Sequence, residues 1–271
     1  MKVLATYNYK GGVGKTATCT TLAYLAARDG LRTLIWDLDS QGAATWTFRI
    51  QPSVGGGARS LVRGAVDLRA AVKATDYENL DVLPADTFYR KLDIALDGVE
   101  HSEDRLAELL VPFRDEYDLV LIDTAPTMSR VAESVFFAAD ALLAPTIPTP
   151  LSLRTLAQLF LHLKKKKSPA RALPFFSLVD RRKALHRSVC RFAEEQELGF
   201  LQAEIPYSSA VERMAVRRQP LHVFAARDRA ARAYRSLWEE VQERAFRAPP
   251  QTPPTRGRIR ALMSEARQAS G

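Results

Sequence analysis

The feature that most restricts the fold of this chain is a glycine-rich turn set between an apolar run and a helical pattern. Residues 3–8, VLATYN, read as a strand, YKGGVG (9–14) as a loop, and KTATCTTLAYLAARD (15–29) as a helix. Glycines at 11, 12 and 14 let backbone N–H groups turn inward without Cβ clashes. The helix that follows adds the positive end of its dipole. Lys15 is then placed to neutralise the β- and γ-phosphates of a nucleotide, and the Thr16 hydroxyl to hold Mg²⁺. Gly11, Gly12, Val13, Gly14, Lys15, Thr16 and Ala17 form the candidate phosphate-binding segment. The common pattern G-x-x-x-x-G-K-[ST] has its first glycine at position 9. Tyr9 stands there instead, and Lys10 puts a second lysine at the start of the loop.

The remainder repeats the strand–helix alternation. Apolar runs at 33–39, 80–86, 119–125, 141–148, 174–180 and 200–206 read as further strands. Most are continuously apolar, as in a parallel sheet buried on both faces. Helical patterns fall at 61–74, 103–115, 130–138, 152–165, 184–197, 209–217 and 227–246. The expected fold is α/β: a doubly wound, mostly parallel sheet with helices on both faces, and ligands beyond the carboxyl ends of the strands. In the last helix Tyr234, Leu237, Trp238 and Val241 share one face and are expected to pack on the sheet. Residues 1–247 read as one domain. APPQTPP (248–254) is a proline-rich linker to a short basic tail, 255–271. No run reaches the roughly 18 apolar residues needed to span a bilayer, and MKVLATYN lacks a signal-peptide pattern. Cys19 and Cys190 form no framework or metal pair, so the reading is a reducing, cytoplasmic setting.

Acidic residues stand where a nucleotide site needs them. Asp37 and Asp39 end the second strand, in WDLDSQG, and Asp123 ends LVLIDTAP. A carboxylate at such a strand end binds Mg²⁺ directly or through water. A lone acid there could equally cap the next helix. Three acids at the ends of two strands, with a phosphate loop after a third, favour the site.

Taken together, KGGVGKT, DLDSQG and IDTAP resemble the ParA/MinD family of deviant Walker ATPases, closest to Soj-like ParA partition proteins. The resemblance runs from residue 2 to about 246 and includes looser matches at 147–159, 177–189 and 205–221. It implies a P-loop NTPase fold of deviant Walker type, with ATP and Mg²⁺ as ligands and slow, partner-stimulated ATP hydrolysis. It implies that Lys10 reaches across an ATP-bridged homodimer to the partner's nucleotide. Asp39 would orient the attacking water, with Lys10 and Lys15 as the catalytic cations. Thr16, Asp37 and Asp123 would serve the metal ion. Asp180 would contact the base and Pro206 would pack on it, although both are also ordinary turn residues. The sequence departs from the family pattern at Ser40, which replaces a proline, at Ala43 after Gly42, and at Ala125 before Pro126.

Charge is unevenly spread. Residues 1–163 hold 16 Lys/Arg against 20 Asp/Glu; residues 164–271 hold 23 against 11. A basic second half favours a polyanionic partner. The resemblance implies non-specific DNA binding, nucleoid association, and positioning or segregation of a cargo through a ParB-like or other adaptor. Lys164, Arg182, Arg187, Arg191, Arg213, Arg217 and Arg218 are the candidate DNA contacts. No base-reading motif is present, so binding should be phosphate-driven and salt-dependent. The alternatives are a MinD-like membrane switch and a metabolic enzyme on the same scaffold. The switch would use the tail face Ile259, Leu262, Met263 and Ala266, which has only three large apolar groups, so membrane binding is not expected. For a reductase the cysteines are misplaced, and no small-molecule carboxylate pocket is evident for a ligase.

Overall fold

A computed structural model describes residues 1–247 and Gly257. The linker 248–254 and, apart from Gly257, the tail with its Ile259–Ala266 face lie outside the described residues. Seven strands form one sheet: β1 (Lys2–Thr6), β2 (Thr33–Asp37), β3 (Lys73–Ala74), β4 (Leu80–Leu83), β5 (Leu119–Asp123), β6 (Ala141–Thr146) and β7 (Arg171–Phe176). Their order is β3-β4-β2-β5-β1-β6-β7, and only β3 runs antiparallel to its neighbour. The chain winds from β1 toward β2 on one side and later crosses to β6 and β7 on the other. The phosphate loop leaves β1 at this reversal, where open α/β sheets bind ligands.

Successive strand residues feed two separate cores, which explains the continuously apolar runs. Val120 and Ile122 face one core, and Leu119 and Leu121 face the other. The first core is closed by α3 (Ala58–Val62), α4 (Leu68–Ala71), α5 (Leu92–Asp97), α6 (Arg105–Leu109), α7 (Arg130–Ala138), α8 (Pro150–Lys166) and α9 (Ala184–Glu195). The second is closed by α1 (Lys15–Arg28), α2 (Ala43–Thr47), α10 (Ser209–Arg217), α11 (Leu221–Ala225) and α12 (Arg229–Gln242). The expected face of the last helix is confirmed: Tyr234, Leu237, Trp238 and Val241 are fully buried in the second core. Each such large side chain contributes roughly 1.5–3 kcal/mol by leaving water. Among the described residues no helix is long and apolar enough to cross a membrane.

Three sequence expectations change. Residues 200–206 form no ladder strand: they lie beside β7, where the Leu201 and Ile205 N–H groups donate to the Pro174 and Phe176 carbonyls, and end in an isolated bridge, Val179 to Pro206. The pattern 61–74 covers the end of α3, the short helix α4 and, at Lys73–Ala74, the edge strand β3. Gly64, at φ 71°, ends the first, and the Asp67 carboxylate caps the second by accepting from Arg69 and Ala70 N–H. The pattern 103–115 reduces to α6 between two 3₁₀ turns, the second containing Pro112, which cannot continue a helical ladder.

Candidate nucleotide site

The loop after β1 is held open from both ends. The Asn8 carboxamide donates to the Pro145 carbonyl (2.8 Å) and accepts from the Lys10 N–H (2.9 Å). Gly14 caps α1 at φ 94°, a conformation costly for any other residue. A Cβ there would also lie 3.0 Å from the Ser177 hydroxyl. Val13 is buried beneath the loop, while Gly11 and Gly12 are exposed and Gly14, Thr16 and Ala17 half-buried. Lys15 is only 7% exposed, and its ammonium donates to the Lys10 carbonyl at 3.1 Å. Burial lowers its pKa, while Asp123 and Asp39 raise it.

Strand register lines up the acids. Thr6 of β1 pairs with Asp123 of β5, which pairs with Asp37 of β2, making one row across the sheet. Thr16 donates to one Asp123 oxygen (2.6 Å) and Thr6 to the other (3.1 Å). The Asp37 Oδ2 accepts from the N–H (2.8 Å) and hydroxyl (2.7 Å) of Thr45, and so anchors the first turn of α2. Burial first, then repulsion between the two carboxylates, pushes Asp123 up to about 7. Asp37 rises to about 6, mainly through burial. Asp39 lies half-buried just beyond β2 and its carboxylate accepts from the Gln41 N–H.

These residues fit a phosphate and a divalent cation. A nearly buried ammonium has only a carbonyl for partner, the Ser177 hydroxyl is buried with no hydrogen-bond partner, and two neighbouring carboxylates resist ionising together. Among the described residues no group of three or more His, Cys, Asp or Glu could hold a metal alone. A cation here would therefore draw on Thr16, one carboxylate, phosphate and water, as Mg²⁺ sites commonly do.

Lys10 extends from the loop to the start of α8, where its ammonium donates to the Ser152 hydroxyl at 3.2 Å. Ser152 is itself bonded to Thr149, the cap of α8. Asp180 and Pro206 line one cavity of about 580 Å³ with Val179, Arg181, Arg182 and Glu204. The Arg182 guanidinium pairs with Asp180 at 2.9 and 3.0 Å and holds its carboxyl down at about 2.

The seven candidate DNA contacts do not form one group. Lys164 (α8) and Arg187 and Arg191 (α9) stand on helices of the first core, whereas Arg213, Arg217 and Arg218 stand on or after α10, against the second. Arg182 is spent on Asp180, and Arg187 donates to the carbonyls of Arg181 and Arg182. Arg218 lies 4.0 Å over the Trp46 ring and donates to the Trp46 carbonyl. Thr6, Thr45, Trp46, Ser152 and Ser177 were not visible as site residues, because each is brought in by tertiary contact from outside the three motifs.

A glycine loop between β1 and α1, with buried carboxylates ending β2 and β5, defines a P-loop nucleotide-binding protein of the deviant Walker type. An AAA domain family matches residues 1–172; the chain belongs to it and, with its relatives, to the ParA/MinD group. A ParA family protein of Chlamydia muridarum is 26% identical over 250 residues, 89% of this chain and 97% of its own length. The Bacillus subtilis sporulation initiation inhibitor protein Soj is 33% identical over 58% of this chain and 63% of its own. An uncharacterised Pseudomonas putida protein is 34% identical over 60% of this chain. That match spans 63% of the relative's length, less than two thirds. Among solved structures, cobyrinic acid a,c-diamide synthase from Mycobacterium smegmatis with a bound ATP analog and magnesium is 25% identical, at a TM-score of 0.76 over 94% of this chain and 100% of that one. The cell division ATPase MinD of Pyrococcus furiosus shares the fold at a TM-score of 0.74 and 20% identity, over 90% and 99%.

Proposed function

We propose that this protein is a slow, Mg²⁺-dependent ATPase that dimerises on ATP, binds DNA without sequence preference, and positions or segregates a cargo through an adaptor protein. Residues 1–247 act as one ATPase domain, working in the cytoplasm on the nucleoid. The observation that carries the reading is the row Thr6–Asp123–Asp37 beneath Lys15 and Thr16, with a second lysine, Lys10, at the mouth of the same loop. The backbone of Gly11–Ala17 cradles the β- and γ-phosphates, Lys15 neutralises them, and Asp180 and Pro206 bound the base. Mg²⁺, when bound, would neutralise phosphate charge, and Thr16, Asp123 and Asp37 are the residues of this chain that would hold it. Asp39, at the mouth of the site, orients water toward the γ-phosphate. Lys10 leaves Ser152 to reach the nucleotide of a second copy, so that each protomer completes its partner's charge balance.

Asp39→Ala is expected to keep ATP binding, abolish phosphate release and accumulate a DNA-bound dimer by light scattering. An ATP-loaded Asp39→Ala protein that stays monomeric overturns the dimer. The likeness to the diamide synthase supplies a second reading, ATP-driven amidation of a carboxylate. Phosphate release stimulated by cobyrinic acid but not by DNA would favour that reading.

A further inference from the structure

The parallel strands give the sheet two unlike ends. The nucleotide site occupies the carboxyl end; the starts of β1, β6 and β7 face the other way. A cavity of about 520 Å³ opens there, lined by Lys2 and Val3 of β1, Ala107 and Leu110, Arg114, Phe137, Asp140, Arg171 at the start of β7, and Arg244. Its charge is one-sided. Asp140 is the one acidic group in the lining, and Lys2 already holds it at 3.0 Å while the Val3 N–H donates to its other oxygen. Three guanidiniums remain, on Arg114, Arg171 and Arg244, and none has a carboxylate partner among the described residues.

Elsewhere in the chain many arginines find an acid: Arg32 pairs with Asp118, Arg235 with Asp29, and Arg181 with Glu204. Arg171 departs furthest from this. It donates through Nη1 to the Arg244 carbonyl, while its Nε and Nη2 are buried with no acceptor. Burial and the Arg244 charge both lower its pKa. Buried N–H donors without acceptors and like charges packed together are both unfavourable, so a fold that keeps them here points to a multivalent anion. Guanidinium forks match phosphate oxygens two at a time. The apolar wall of Val3, Leu110 and Phe137 leaves room beside the arginines, and the volume is that of a small-molecule site.

We infer that the cavity bounded by Arg114, Arg171 and Arg244 is a second ligand site, for a small polyphosphate-bearing molecule, at the end of the sheet opposite the nucleotide loop. The probe is inorganic pyrophosphate, titrated calorimetrically into the full chain at constant ionic strength. Because the phosphate loop also takes pyrophosphate, the titration uses a Lys15→Gln background, in which one saturable site should persist. Adding Arg114→Gln or Arg244→Gln should weaken that site about tenfold each, without lowering the unfolding temperature of the ligand-free protein. Arg171 is left intact because it ties down the Arg244 carbonyl. Loss of all saturable binding in Lys15→Gln alone overturns the second site. So does an isotherm that neither arginine replacement alters, which would place the binding elsewhere on the basic surface.

Discussion

At the scale of single residues, the site is built from groups whose preferred states conflict. Asp123 and Asp37 sit side by side in the register of β5 and β2, both buried and both with raised pKa values. The sign follows from linkage. A carboxyl that holds its proton to about pH 7 when folded, but to about pH 4 when unfolded, makes the native state bind more protons between those values. Stability of the ligand-free protein therefore falls as pH rises through that window. Carboxyls with lowered values, such as Asp118 at about 2, act at more acidic pH. Asp123→Asn is expected to flatten the fall in unfolding temperature between pH 4.5 and 7.5. A variant whose pH profile parallels that of the natural chain would show that the pair does not titrate there. Lys10 presents a second conflict. Its hydrogen bond to Ser152 holds the ammonium within its own subunit, whereas the proposed role needs it in the partner. A hydrogen bond to a charged group contributes about 1.5–3 kcal/mol at most in partly buried settings, and less with water as competitor. Ser152→Ala should thus tighten ATP-dependent dimerisation by about three- to tenfold in analytical ultracentrifugation; weaker dimerisation would show that Ser152 supports the reaching state.

At the scale of elements, α2 stands out because both ends are tied. Its first turn hangs on Asp37 through Thr45, and its last is gripped by α10. The Trp46 indole N–H donates to the Ala215 carbonyl at 2.9 Å, and Arg218 stacks on the ring. The strap joins the segment that follows Asp39 to the basic layer around α10. A cation–π contact at a half-exposed site contributes roughly 0.5–1 kcal/mol. Arg218→Ala is therefore expected to speed amide exchange across residues 43–47 and to change kcat for ATP two- to fivefold with little effect on KM. Arg218→Lys, which keeps the charge but loses the planar stack, should show the same exchange while retaining DNA. Unchanged exchange in both variants would mean the strap carries no coupling. The elements differ in how plainly they could be read. The strand–loop–helix of the phosphate site is local, so its glycines, lysine and threonine announce it. Residues 200–206 carry the same apolar character and lie along the open edge of β7, but Leu201 and Ile205, four residues apart, bond to Pro174 and Phe176, two apart, so no regular ladder forms. Lys73–Ala74, two exposed residues at the antiparallel edge, offer no apolar pattern to read. Helix breaks at Gly64 and Pro112 were visible as residues, but their effect depended on tertiary packing.

At the scale of the molecule, the unread information is mostly about sides. Charge counts distinguish the basic half from the acidic one, but cannot say which arginines share a surface, because the sheet separates α9 from α10. That separation leaves two candidate faces for the proposed DNA binding. On the α9 side Arg187 is bound to backbone carbonyls, leaving Arg191 without a partner among the described residues. On α10, Arg213 and Arg217 are four residues apart on one helical face and exposed, with only a 6.0 Å approach of Arg217 to the Phe224 ring. Two free guanidiniums on one face displace counterions together, each lowering the slope of log affinity against log salt by about 0.9. Replacing Arg213 and Arg217 together by Gln should therefore reduce the salt slope of ATP-dependent DNA binding by about 2 and leave nucleotide affinity intact. Replacing Arg187 and Arg191 should change the slope by less than 1. The reverse ranking, measured by fluorescence anisotropy between about 50 and 200 mM salt, would move the DNA face to the α9 layer and leave α10 serving only its hold on Trp46.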